Sequence, residues 1–145
     1  MIIDYSSGAN LVVLITGGFN GSYDNGSHLN SAEIFNPVTN TSCSLPQLPE
    51  ARRQHSQDGG LVCGGLNSLN TTILDATQKT CVKWSPASGT WIKSLKLRKR
   101  RHGHVAWATS SGVYFMGGDG SRRTSEKVNC DGSVEDSFPL KDYTW

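Results

Sequence analysis

Three stretches decide how this sequence is read: LVVLITGG (residues 11–18), LVCGG (61–65) and VYFMGG (113–118). Each is an apolar run, rich in β-branched or aromatic residues, that stops at a glycine doublet. That is the signature of a strand whose end lies close to other backbone, because glycine leaves space where a Cβ would collide. The doublets Gly17 and Gly18, Gly64 and Gly65, and Gly117 and Gly118 stand 47 and 53 residues apart. A period near 50 is too long for a hairpin and fits one supersecondary unit per repeat. The first two doublets are followed by a variable loop, an alternating strand and a proline turn, SAEIFNPVTNTS and TCVKWSPASGTW. Setting Pro37 over Pro86 also sets Ser42 over Trp91, Arg52 over Arg101 and His55 over His104. The third unit is looser: SEKVNCDGSVEDSF carries Asp131 and Gly132 as a hairpin signal where the others have proline.

This combination resembles the kelch repeat over nearly the whole chain. The residues in its characteristic places are the three glycine doublets, Glu33, Phe35, Trp84, Trp91, Arg52, Arg101, His55 and His104. Two departures stand out: Ser42 replaces the tryptophan of the first unit, and the third unit has neither that tryptophan nor the Arg and His pair. The resemblance implies an all-β fold, a partial β-propeller of roughly three four-stranded antiparallel blades. Blade 1 is expected at about 1–50, blade 2 at about 54–97 and blade 3 at about 104–140, with 141–145 starting a further blade.

The residues support this division without the family. Leu11 to Ile15 has the β-branched content of a buried strand, and Ile2 and Ile3 suit the innermost strand of the first blade. In the second blade, strands are expected near 54–57, 61–63, 80–84 and 90–94, joined by Gly, Pro, Asn or Ser turns. The third blade begins near 104–108, turns at 110–112 and continues through 113–116. Propellers need about four to eight blades to close a ring. Three blades are therefore expected to be a fragment of a longer protein, or else to self-associate through open edges.

Composition sets the outer bounds. A chain of 145 residues with 36% hydrophobic content holds one modest domain. Sixteen glycines, 18 serines and 11 threonines against 18% charged residues favour strands and turns over long helices. The longest apolar run, Leu11 to Ile15, is far shorter than the roughly 20 residues of a membrane-spanning helix, so no membrane insertion is expected. Residues 1–5 lack the basic and apolar regions of a secretory signal peptide. The net charge of +2 conceals six basic residues between Lys93 and Arg101, and one short cluster is not a nucleic-acid-binding surface, so no nucleic-acid partner is expected.

Four cysteines, Cys43, Cys63, Cys81 and Cys130, show no zinc-ligand spacing. Cys63 ends one expected strand and Cys81 begins its antiparallel neighbour, so Cys63 with Cys81 is the favoured disulfide, Cys43 with Cys63 the rival, and free thiols the third possibility. Asn20, Asn25, Asn40 and Asn70 head N-x-S/T sequons and are candidate glycosylation sites. Sequons and an even cysteine count favour an extracellular or secreted setting over a cytoplasmic one.

Candidate chemistry is sparse. His102 and His104, at i and i+2, would share one strand face, yet two ligands are half a zinc site and the match with His55 gives His104 a structural role. His28 is expected in solvent within a loop over 19–30. The run Arg98, Lys99, Arg100 and Arg101 is read as a solvated turn between strands in which Arg101, matching Arg52, has a structural role, with phosphate binding, nuclear localisation and dibasic processing as alternatives. Gly117 to Gly120 lacks the following helix of a phosphate loop and reads as a turn, and Glu135 and Asp136 fall on opposite strand faces. No catalytic set, metal site or cofactor is indicated. The expected function is a binding module that presents propeller-face loops to a protein or glycan. The alternative is a piece of a propeller-based oxidase or hydrolase whose catalytic residues lie elsewhere. The candidate loops follow the doublets and contain Phe19, Asn20 and Asp24; Asn67 and Asn70; and Asp119, Arg122 and Arg123.

Overall fold

A computed structural model describes residues 2–4, 11–21, 26–67 and 73–141. The first sheet opens with β1 (Ile2–Asp4) and β2 (Leu11–Thr16); a small hairpin of β3 (Phe19–Asn20) and β4 (Ser27–His28) follows, and β5 (Ala32–Asn36) and β6 (Thr41–Leu45) complete the sheet. The second contains β7 (Ser56–Asp58), β8 (Leu61–Cys63), β9 (Thr80–Ser85) and β10 (Thr90–Lys96), with one helical turn, α1 (Ile73–Ala76), between β8 and β9. The third contains β11 (Val105–Thr109), β12 (Gly112–Met116), β13 (Ser125–Asn129) and β14 (Val134–Asp136). Each of the three runs in sequence order across the sheet with antiparallel neighbours throughout, apart from the small hairpin set between β2 and β5. The fold is all-β, three consecutive propeller blades.

Strand alternation sends one residue set toward the preceding blade and the other toward the next. On the face of the second sheet that meets the third, Leu61, Cys63 and Cys81 pack with Leu97, Val113, Phe115 and Val128. On its opposite face Val62 and Val82 pack with Leu48, the leucine that leaves the first sheet, under Trp91. Trp84 and Trp91 lie directly opposite across β9 and β10, ring centroids 5.4 Å apart. Trp91 also donates its indole N–H to the Pro46 carbonyl at 2.7 Å, so this ring closes the joint between the first two blades.

Two expectations about strands change. β2 is not buried throughout: Leu14 is buried while its neighbour Ile15 is 44% exposed. The alternation is real, but no described sheet covers the Ile15 side. The segment 66–79 is also more ordered than a plain loop, because α1 brings Thr77 back to pair with Leu66.

Candidate binding face and blade junctions

Arg52 and Arg101 make the same junction twice. The chain leaves the first sheet through Leu48, whose N–H donates to Asn30, and the second through Leu97, whose N–H donates to Lys79. Four residues later, each arginine reaches into the following blade. Arg52 Nη1 donates to the carbonyls of Gly64 and Thr80 at 3.1 and 3.0 Å, and Nη2 to the Thr80 hydroxyl at 3.3 Å. Arg101 Nη1 donates to the carbonyls of Gly117 and Thr124 at 2.8 and 3.2 Å, and Nη2 to the Thr124 hydroxyl at 3.3 Å. Each guanidinium therefore reads the first glycine of the next doublet and a threonine at the start of the third strand of that sheet, Thr80 within β9 and Thr124 just before β13.

The carboxylates differ. Glu126, on β13, pairs with Arg101 at 2.6 Å, and both side chains are fully buried. Glu126 also accepts the backbone N–H groups of Arg98 and Lys99, so its remaining lone pairs are used. Such satisfaction is what makes a buried ion pair tolerable, since each ion otherwise loses several kcal/mol of hydration. In the second sheet the equivalent position is Val82, and Glu50, two residues before Arg52, supplies the carboxylate at 3.4 Å.

The repeat histidines lie three residues beyond these arginines. An ideal Cβ on Gly64 would stand 2.5 Å from the Arg101 carbonyl and 2.7 Å from the His104 ring, which is why this position is glycine at φ +68°. At the corresponding place in the first blade the Thr16 hydroxyl lies 2.9 Å from His55 Nε2 and 2.6 Å from Gln57 Oε1. Burial, reinforced by the Arg52 charge, lowers His55 to about 4. Burial lowers His104 to about 3, with the charges of Arg101, His55 and His102 acting in the same direction. Both imidazoles are neutral at pH 7.

The His102 and His104 pair departs from expectation. Gly103 has φ +61°, which interrupts the strand, so the two rings do not share one strand face. His102 sits 3.1 Å from the Thr77 hydroxyl and 3.5 Å from Asp119, whereas His104 packs on Phe115. Among the described residues, no three His, Cys, Asp or Glu side chains converge as a metal site.

The basic run divides: Arg98, Lys99 and Arg100 are exposed in the bend between β10 and β11, and Arg101 turns inward. Arg101 is buried, Arg98 pairs with Asp136 at 3.0 Å, and Arg100 donates to the Thr77 carbonyl at 2.7 Å.

The loops after the doublets emerge from the same end of each sheet and are tied to the linkers beside them. Arg53 bridges Leu66, Leu66 bridges Thr77, and His102 bridges Asp119. The Ser121 hydroxyl donates to the Arg100 carbonyl at 3.0 Å, and Arg122, 81% exposed, pairs with Asp119 at 2.7 Å. That bond from Arg122 holds the Asp119 carboxyl below its usual range. Arg53 lies 4.5 Å above the Phe19 ring, and Phe19 meets His28 edge-on at 5.6 Å. His28 is therefore half-buried rather than in solvent, because β4 pairs with β3 and sets its ring against Phe19. Arg53, Arg100 and Arg122 thus follow one another across this end of the three sheets.

Of the candidate loop residues, Asn20 is exposed and Asn67 donates its N–H to Ala76, while Asp24 and Asn70 lie outside the described residues. Among the sequons, Asn20 and Asn40 are exposed, and Asn25 and Asn70 lie outside the described residues. Residues 142–145, expected to start a further blade, lie outside them as well. Cys63 and Cys81, opposite each other on β8 and β9, form a disulfide, and Cys43 and Cys130 are exposed thiols. Sequence reasoning missed Glu126, Glu50, Thr80 and Thr124. The available signal was that Glu33 and Glu126 each stand second in their strand, directly after a small residue.

Comparison with known proteins agrees with this geometry. Residues 10–49 match the family model of the kelch motif. No curated protein matches the sequence. The solved structure of YjhT superposes with a TM-score of 0.71 at 13% identity, covering 91% of this chain and 50% of that one. This chain therefore spans half the length of that protein. It carries a kelch motif in its first blade and has the fold of a kelch-type β-propeller.

Proposed function

We propose that the chain is a protein-binding module whose contact surface is the loop end of the three blades, and that it takes a carboxylate-rich segment. The observation that carries this reading is the succession of Arg53, Arg100 and Arg122 across loops held together by the bridges at Leu66, Thr77 and Asp119. Arginine suits the task because its planar donor fork matches carboxylates and its stem packs on aromatic rings such as Phe19. Loops fixed on a rigid sheet scaffold lose little entropy on binding. The Cys63–Cys81 disulfide supports an oxidising, extracellular setting, where exposed Asn20 and Asn40 would be open to glycosylation.

The test uses an array of synthetic Asp- and Glu-rich peptides and the charge-reversal pair Arg53→Glu and Arg122→Glu. Binding is expected to weaken at least tenfold in the variant and to fall as salt rises from 50 to 200 mM, with circular dichroism unchanged. Equal binding by both proteins would move the contact surface off this end of the propeller.

A further inference from the structure

The first blade carries the kind of acceptor set that the third blade presents to Arg101, with no arginine in it among the described residues. Gly17 corresponds to Gly64 and Gly117: their N–H groups donate to the carbonyls of Ser31, Thr80 and Thr124 respectively. Ser31 therefore stands where the two acceptor threonines stand, and Glu33, two residues on, stands where Glu126 does. Around Ser31, Ala32, Glu33, Ile15 and Ser44 lies a concavity of about 220 Å³.

The neighbouring cradle is open too. An ideal Cβ on Gly65 would lie 2.6 Å from the Arg53 carbonyl, and one on Gly118 would lie 2.6 Å from the His102 carbonyl, so both glycines are packed by an incoming linker. Among the described residues the same construction on Gly18 meets the Leu29 side chain alone, at 3.9 Å. Apolar burial agrees: two residues before each doublet, Val62 and Phe115 are fully buried, whereas Ile15 is 44% exposed.

We propose that this face is a guanidinium socket that seats the Leu-x3-Arg-x2-His linker of a further propeller blade, with Glu33, the Ser31 hydroxyl and carbonyl, and the Gly17 carbonyl as acceptors. The occupant follows from the two filled sockets, each entered by a linker of that pattern: Leu48, Arg52 and His55, then Leu97, Arg101 and His104. A second copy of this chain does not supply it. Arg52 and Arg101 are both buried in their own junctions, and four residues past Leu140, which takes the place of Leu48 and Leu97, the sequence has Thr144. The occupant is thus a blade of different sequence, delivering one cation beside one carboxylate.

The probe is a synthetic peptide covering residues 95–106, LKLRKRRHGHVA, added to the isotopically labelled chain. Amide shifts are expected at Gly17, Gly18, Ser31 and Glu33. An Arg101→Gln version of the peptide is expected to bind at least tenfold more weakly, and Glu33→Gln in the protein to weaken the parent peptide by a similar factor. Because Glu33 holds no ion pair among the described residues, that variant keeps the thermal midpoint of the parent. Glu126→Gln, which opens a filled socket, lowers the midpoint and serves as the contrast. Equal affinity of the two peptides, equal affinity of the parent and Glu33→Gln proteins, shifts confined to the loop end, or no shift at millimolar peptide would each overturn the socket.

Discussion

The burial of His55 and His104 predicts that this protein loses stability in mild acid. Their rings occupy the space that the doublet glycines leave at each junction, and among the described residues neither nitrogen of His104 has a hydrogen-bond partner. Protonation would place a charge in that packed space beside a buried arginine. In the unfolded chain a histidine titrates near 6.5, whereas the folded values are about 4 for His55 and about 3 for His104. Between these limits the unfolded chain binds more protons, so stability is complete above pH 6.5 and declines as the pH falls. The linkage slope is about 1.4 kcal/mol per pH unit for each group. Urea unfolding at pH 6.5, 6.0, 5.5 and 5.0, above the range where carboxylates titrate, should show a midpoint that drops steadily. His104→Gln should roughly halve that dependence, and a parent midpoint independent of pH over this range would refute the assignment.

At the scale of elements, the disulfide occupies a position that the other blades fill differently. Cys63 and Cys81 pair directly across β8 and β9; the same cross-strand pair is Thr16 and Ala32 in the first sheet and Met116 and Ser125 in the third. A covalent link is thus an addition of the second blade, and it closes a loop of 18 residues that includes α1. In the chain-entropy account such a closure is worth about 3 kcal/mol. The bonded sulfurs also sit in the core with Phe115 and Leu97. Replacing both cysteines by alanine should lower the unfolding free energy by roughly that amount and make it indifferent to reducing agent. A parent protein already indifferent to reductant would show that the bond is not present in solution.

These elements also show what the sequence could and could not disclose. The blades were legible because a glycine doublet at the end of an apolar run records a backbone requirement at that very place, and the requirement recurs with the blade. The arginine sockets were only half legible. Arg52 and Arg101 align, but the partner of one is Glu126, 25 residues ahead, and of the other Glu50, two residues behind. A carboxylate chosen by proximity in space leaves no fixed spacing. α1 was hidden for another reason: four helical residues span about one turn, too few to establish a period. The divergence of His102 from His104 turns on a single positive φ at Gly103, which alternation along a strand does not anticipate.

Taken as a whole, the molecule is unlike at its two ends, and this bears on whether copies would meet. The first sheet presents Ile15 among polar acceptors, while the third presents Val105 and Trp107, 60 and 58% exposed, with Phe138 stacked on Tyr114 beside Trp107. An aromatic stripe of this kind is adhesive in water, because burying it releases about 25 cal/mol per Å² of apolar surface. Copies can meet head to tail, but the incoming third sheet then brings no arginine for Glu33, so the carboxylate loses water without gaining a partner. Association is therefore expected to be weak, driven by the aromatic face and opposed by the acidic one. Sedimentation velocity across a concentration series should show reversible growth for the parent, loss of that growth for Trp107→Lys, and retained or stronger growth for Glu33→Gln. A Trp107→Lys protein that sediments like the parent would show that the stripe is not the adhesive face, and weaker growth for Glu33→Gln would show that the carboxylate favours the contact.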